Sequence, residues 1–564
     1  MVAGSTGFIY DFSIYSGALK LHFNLSQSQL DWIATAGCLT FFVSPLSGHF
    51  VDTYGPRSGL LIGGFCMTVG LTLQFLFSRD LIFTTFTSDP TRSTLLLCGF
   101  ACLTSIGANA ASAVAYSLPP KLFPLHRGRV TGIVKAFAGL TGGLMAQIYI
   151  LCVGPPSTNP ETLSFLLFLG SACFVINIVI TPWLFPSGTL QVHQPVPMDM
   201  KDEDDDHDEV EIDVDVDIKQ RLQRGYFVVV FLIALIFICS LLTAVPTTNA
   251  TMQHNITNNG TAIITTKSVA AFTVVGTFIL TMVLVGFAIS YSSTDPHRHS
   301  HPHSNNTKDD DNSTMTLEQN LLDVPLSSDS KSIISFTNAD ADADKNVNTF
   351  TMLGEFNFYL VLISGMAAVG GGYMITTNSF QMIQSSNIIG ASAGTAISMF
   401  SACQGLSRML GGVGPELFMP TGEQFVRQIR PLFLIFFCLM EMVGHLLLWW
   451  APRVDSLHIL YLGYCFAGIG FGGVWPIMVT LSADLWGLKH LGANYMVFDG
   501  TTALIGSLIC GKLLPQSVYS SNSINGDLEC HGSKCFGLAH VVILVVNLMG
   551  AVAAGLLYWR RSKW

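Results

Sequence analysis

Two groups of residues in this chain have the types and spacing to do physical work in an apolar medium. The first is Gly48-His-Phe-Val-Asp52-Thr-Tyr-Gly55-Pro-Arg57, a polar turn between two long apolar runs. Gly48 lets a helix end press against a neighbour. Asp52 lies four residues on and shares that face, where it can accept hydrogen bonds from a helix N-terminus. Gly55 permits a reverse turn at no Cβ cost, and Arg57 adds a fixed positive charge. Such a cluster can latch two halves of a molecule in one state and release them in another; the alternative is a surface turn with a chance ion pair. The second group is Lys135 and Asp499, each set in an apolar run. Helical spacing puts Lys135 on a face with Gly128, Gly132, Gly139, Gly142 and Ala146, and Asp499 on a face with Gly492, Tyr495, Thr502 and Gly506. Stripes of small residues face other helices rather than lipid. A charge in the membrane costs at least about 2.5–3.5 kcal/mol and needs a partner. The two charges are therefore expected to meet across a central cavity, as a gate or with Lys135 binding a carboxylate. The competing reading is that Lys135, close to the membrane edge, snorkels to the interface.

The elements that must position these residues follow from composition. The chain has 564 residues, 50% of them hydrophobic and 11% charged, with a mean hydropathy of +0.50. Soluble domains carry roughly 25% charged residues, so this is an all-α, polytopic membrane protein. The net charge of −10 resides mostly in two hydrophilic loops and implies no nucleic-acid partner. There is no phosphate loop, nucleophile elbow or H-E-x-x-H, so no enzyme chemistry is expected, and no cofactor.

A bilayer crossing takes about 20 apolar residues, and about fourteen such runs are present. They divide the chain into a six-helix bundle over 1–186, an acidic linker over 187–225, two additional helices over 226–291, a His- and Asp-rich loop over 292–353 and a second six-helix bundle over 354–564. With both termini in the cytoplasm, the inside segments hold most Lys and Arg, including Arg57, Lys121, Arg127, Arg129, Arg408 and Arg430. The same orientation puts outside the sequons at Asn249, Asn255 and Asn259, together with Cys530 and Cys535, which look like a disulfide pair. The halves look related. Leu122-Phe-Pro-Leu-His-Arg-Gly128 and Leu485-Trp-Gly-Leu-Lys-His-Leu-Gly492 each lead into a helix whose charge, Lys135 or Asp499, follows the Gly by seven residues.

Further polar groups fall on runs expected to line a cavity: Tyr10, Asp11 and Tyr15, then Asn109, Gln147, Asn378 and Gln381. Each alone fits an interhelical hydrogen bond; together they fit a polar cavity. Glu441 and His445, four apart near mid-membrane, read as a structural polar clasp or as a proton relay. His297, His299, His301 and His303 have the types for zinc or copper, but beside Asp309-Asp-Asp311 they read as a solvated segment, so no metal site is expected.

The Gly48–Arg57 turn resembles the signature between the second and third helices of the major facilitator superfamily. Ile14-Tyr-Ser-Gly-Ala-Leu-Lys20, Gly132-x-x-Lys135-x-Phe-x-Gly-Leu140, Gln147-x-Tyr149, Thr377-Asn378-x-x-Gln381, Arg408-x-x-Gly-Gly412, Gly487-Leu-Lys-His490-x-Gly492 and Cys530-x-Gly-x-x-Cys535-Phe536 resemble the nodulin-like proteins of that superfamily. The resemblance implies a major facilitator fold of two six-helix bundles, here with two extra helices between them, related to monocarboxylate and oxalate/formate carriers. Two departures stand out. Thr377 occupies a position where the family usually has Asp, and the first helix begins close to Met1, shorter than the family's.

The function expected from these readings is secondary transport of a small solute by alternating access. A lone inward Lys favours a monocarboxylate-like organic anion, with protons as the coupling ion. Alternatives are a metal or metal-chelate carrier, favoured by the His-rich loop, and a non-transporting membrane sensor or scaffold with the long loops as partner-binding tails. A monomer in the plasma membrane or an endomembrane is expected.

Overall fold

The computed structural model describes residues 2–8, 12–87, 89–123, 126–152, 163–184, 346–391, 393–418, 423–523 and 530–562. The acidic linker, the two additional helices with Asn249, Asn255 and Asn259, and the His-rich loop lie outside the described residues.

The first half comprises α1 (Val2–Thr6), α2 (Phe12–His22), α3 (Gln27–Leu39), α4 (Ser44–Tyr54), α5 (Pro56–Ser78), α6 (Pro90–Leu122), α7 (Arg127–Cys152) and α8 (Ser164–Phe174). The second comprises α9 (Thr349–Leu353), α10 (Phe356–Ser386), α11 (Ala393–Glu416), α12 (Glu423–Val454), α13 (Leu457–Trp486), α14 (Leu491–Ile505), α15 (Leu514–Asn522) and α16 (Lys534–Arg561). No strand occurs among the described residues. Eight helices among them are long and apolar enough to cross a bilayer. Ser26 starts α3 with a reciprocal cap, accepting from the Gln29 amide while the Gln29 side chain accepts from the Ser26 amide.

Composition decides which helices sit inside. α13 carries Gly468, Gly470, Gly472 and Gly473, and 83% of its most apolar window is buried. Small residues admit close neighbours where there is no hydrophobic drive between helices. The corresponding windows of α12 and α16 are 39% buried, and their Leu432, Leu446, Val545 and Val552 are exposed, as lipid-facing residues should be. The larger apolar core centres on Tyr464, Phe471, Trp486 and Phe498 of the second half and takes in Val51, Leu60, Val114 and Tyr116 of the first. The first half has its own core around Phe23, Phe77, Leu97 and Leu166, which also takes in Tyr15.

The halves meet along two helix pairs, α7 on α11 and α4 on α14. At one face lie Arg57, Lys121 and Arg127. At the opposite face lies a disulfide between Cys530 and Cys535, whose Gly532 amide donates to the Ser385 carbonyl at 2.8 Å. Near this second face Lys512, in a wide π-helical turn after α14, stacks over Trp32 of α3 with Nζ 3.6 Å from the ring centre. That contact, too, bridges the halves.

Candidate functional site

Between the halves lies a cavity lined among others by Asn109, Ser112, Tyr116, Lys135, Tyr373, Arg408, Trp475 and Asp499. Lys135 reaches it because α7 packs its glycine stripe on α11. A Cβ on Gly132 would stand 3.1 Å from the Gly412 Cα, and one on Gly139 3.0 Å from the Arg408 guanidinium. The same packing lets Arg408 Nη1 donate to the Lys135 carbonyl at 3.2 Å and Nη2 donate to Gln404 Oε1 at 3.2 Å.

The Lys135 ammonium is held from several sides. It donates to the Tyr495 hydroxyl at 2.6 Å and lies 3.4 Å from Asp499 Oδ1. Tyr495, one turn before Asp499, donates in turn to that oxygen at 2.6 Å. The Tyr116 ring lies under the ammonium with its centre 3.3 Å from Nζ, and the Trp475 ring centre is 5.0 Å away; both ring faces favour a cation. Tyr116 is fixed by a 3.0 Å hydrogen bond shared with Thr6 of α1. Lys135 and Asp499 are 3% and 8% exposed, so this is a buried ion pair joining the halves. Breaking such a pair by removing one partner costs about 3–5 kcal/mol.

The other sequence candidates are distributed differently. Asn109 lines the cavity and donates from Nδ2 to the Thr40 carbonyl at 3.3 Å, where α3 gives way to a short 3-10 turn. Asn378 is outside the lining. Its Nδ2 donates to the Gly511 carbonyl at 2.7 Å and the Met374 carbonyl at 3.0 Å, satisfying backbone in the π-helical turn, so its amide is spent on structure. Gln381, one turn nearer the disulfide face, is half-buried and also outside the lining. Tyr10 and Asp11 lie outside the described residues, as does the side chain of Gln147. Arg408, assigned by charge counting to an inside loop, is instead 2% exposed within α11. The apolar run ends so close to it that counting alone could not separate loop from helix; the i, i+4 spacing from Gln404 was the available signal.

At the Arg57 face the halves are joined by two arrangements of the same kind. In the first, Gly48 meets the backbone of Gly492, with no room for a Cβ. Four residues on, Asp52 Oδ2 accepts from the Ala493 amide at the start of α14 at 2.9 Å, while Oδ1 pairs with Lys121 at 2.7 Å. Gly55, at φ 85°, turns the chain as only glycine does readily, and Arg57 is half-buried at the start of α5. In the second, Gly412 meets the backbone of Gly128. Four residues on, Glu416 Oε1 accepts from the Gly128 amide at the start of α7 at 2.5 Å, and Oε2 lies 3.4 Å from Arg129. The Gly-x-x-x-acid unit therefore occurs once in each half, each seated on a helix N-terminus of the other half, where backbone amides and helix dipole favour an anion. Buried Asp484 adds a third link. It pairs with Arg127 across the seam at 2.9 Å and with Arg430 at 2.5 Å. Glu416 and Asp484 escaped the sequence reading because an acid near a helix end looks like ordinary surface.

His490 lies beside the first arrangement, just before α14. Burial pushes its imidazole below the ordinary value, an effect Asp52 opposes and Lys489, Lys121 and His49 reinforce.

Two helical halves in contact around a central cavity are the arrangement of the major facilitator fold, and comparison with solved structures gives the same fold. The structure of the proton:xylose symporter XylE bound to 6-bromo-6-deoxy-D-glucose superposes with a TM-score of 0.52 at 12% identity, over 98% of this chain and 93% of that one. The chain is a multi-pass integral membrane protein with that fold. Residues 1–206 match a family model described as nodulin-like. Two curated relatives share shorter stretches. The probable transporter mch1 of Emericella nidulans is 24% identical over 187 residues, 29% of this chain and 30% of that protein. Solute carrier family 15 member 2 of Oryctolagus cuniculus is 25% identical over 131 residues, 21% of this chain and 17% of that protein. The matches thus span less than a third of either relative's length.

Proposed function

We propose that this protein is a secondary transporter that moves a small organic anion, monocarboxylate-like, by alternating access between its two halves. The observation that carries this reading is the charge of the cavity wall. Lys135 and Arg408 supply two cations and Asp499 one carboxylate, two minus one leaving a net +1, among aromatic rings that suit a short apolar tail. A substrate carboxylate replaces Asp499 at the Lys135 ammonium, and a proton taken up with it offsets the charge released on Asp499, which makes the solute and the proton travel together. Opening the Lys135–Asp499 pair removes one link between the halves, so occupancy and rocking are coupled. With the Arg57 face in the cytoplasm, the two Gly-x-x-x-acid latches close the inner side in the state described above. The protein acts in this reading as a monomer, without cofactor and not as an enzyme.

The test is uptake of radiolabelled L-lactate into proteoliposomes holding the purified full chain, with and without an inward proton gradient. The expected result is gradient-stimulated uptake that Lys135→Ala and Arg408→Ala abolish. Gradient-independent uptake would overturn the proton coupling. Absence of uptake of lactate and of other short organic anions would overturn the substrate class. A cellular function that survives both cavity substitutions but not deletion of the long loops would favour a sensor or scaffold instead.

A further inference from the structure

Glu441 and His445, one turn apart on α12, meet a third titratable side chain that is distant in sequence. His445 Nε2 lies 3.3 Å from Glu441 Oε1, and His445 Nδ1 lies 2.9 Å from His540 Nδ1 of α16. The three side chains are 0%, 0% and 3% exposed. Two imidazole nitrogens at that separation share one proton, one ring donating and the other accepting. Neither Glu441 oxygen makes a hydrogen bond of full geometry, and among the described residues the titratable side chain within reach of it is the His445 imidazole, not a Lys or Arg. Glu441 is also hemmed in. A Cβ on Gly371 of α10 would meet its Oε1, and one on Gly470 of α13 would stand 2.6 Å from its Oε2. The titratable and charged groups facing this row are the Cys438 thiol, one turn before Glu441 on α12, and Arg453, further out on the same helix and beyond His540.

The row has two ends. At the outer end, His540 lines a small pocket with Ser385, Trp449, Gly532, Ser533 and Gly537, beside the Cys530–Cys535 loop. At the inner end, Phe471 follows Gly470, and its ring stands 5.9 Å from the Arg408 guanidinium and 6.0 Å from both Tyr373 and Trp475, all three of which line the central cavity. A carboxyl group thus sits immediately behind the cavity wall, joined by two imidazoles to a pocket at the disulfide face.

We infer that Glu441 is a proton-binding site separate from the central cavity, loaded from the disulfide face through His540 and His445. In the transfer, His540 takes a proton at Nε2 from pocket water and releases the one on Nδ1 to His445 Nδ1. His445 releases the one on Nε2 to a Glu441 oxygen. One proton has then moved from outer water to Glu441, and the rings return to their starting tautomers when it leaves by the same route. Through Phe471 the occupancy of this site bears on the position of Arg408. That consequence rests on the transport reading; the proton site itself does not.

The experiment is difference infrared spectroscopy of the purified full chain in lipid, following the protonated-carboxyl stretch on transfer from H₂O to D₂O. The expected result is a carboxyl band that Glu441→Gln deletes and that exchanges in the wild type. His445→Phe and His540→Phe should slow its exchange by about tenfold or more. Gly537→Val should slow it too: a Cβ there meets only the Arg453 guanidinium at 3.3 Å, so the substitution narrows the pocket without touching the row. This second variant keeps the test valid if a His variant misfolds. A band unchanged by Glu441→Gln, or exchange as fast in Gly537→Val as in the wild type, overturns the proposal. A chain that carries no lactate but keeps the band would sink the anion reading and leave this one standing.

Discussion

Replacing the two latch acids, Asp52→Asn with Glu416→Gln, should open the Arg57 face. Both carboxylates accept a backbone amide of the opposite half, at 2.9 Å and 2.5 Å, and their side chains are 7% and 0% exposed. A hydrogen bond to a charged acceptor contributes about 1.5–3 kcal/mol. The amide replacements keep the shape and one acceptor oxygen but lose the charge, so about 1.5 kcal/mol per site is the expected loss. The sites are on separate helix pairs and share no partner, so the losses should add, to about 3 kcal/mol, a factor on the order of 100 in the closed-to-open ratio. Because the contacts exist only when the halves are closed, the whole difference acts on that equilibrium. A closed state preferred by about 100 to 1 would become evenly populated with the open one. Spin labels at Thr53 and Lys489, exposed on opposite sides of the seam, report the ratio by pulsed electron paramagnetic resonance. The wild type should give one short distance, each single variant a minor longer component, and the double variant two comparable components. An unchanged distribution in the double variant would show that the latches do not hold this face shut.

The remaining expectations use the same seam. Lys135→Ala and Asp499→Ala should each lower thermal stability by about 3–5 kcal/mol through the orphaned charge. The exchanged pair Lys135→Asp with Asp499→Lys should recover much of it; no recovery in a thermal melt removes the pairing. Gly412→Leu forces a side chain into the Gly128 backbone and should shift the spin-label distances toward the open form at least as far as Glu416→Gln. Because burial lowers the His490 value in the closed state, that state binds the proton less well than an open state in which the ring is hydrated. Closure is therefore fully favoured above the ordinary imidazole value of about 6.5 and weakens as pH falls through it. A titration of the Thr53–Lys489 distance should show this trend, and His490→Gln should remove it.

Sequence by itself determined what depends on one helix at a time. Run length and charge content mark the crossings. The 3.6-residue period sets Lys135 among glycines and Asp499 beside Tyr495, and the four-residue step joins Gly48 to Asp52 and Glu441 to His445. What only the tertiary structure decided is which faces meet and at what depth, because partner choice depends on the rotation and height of helices far apart in the chain. His540 meets His445 across 95 residues, and Gly128 meets Glu416 across 288. Arg408 became a cavity residue and Asn378 a backbone clasp by the same cause. Along one helix, neighbours follow from the spacing of residues; between helices they follow from packing, and a local pattern carries no measure of it.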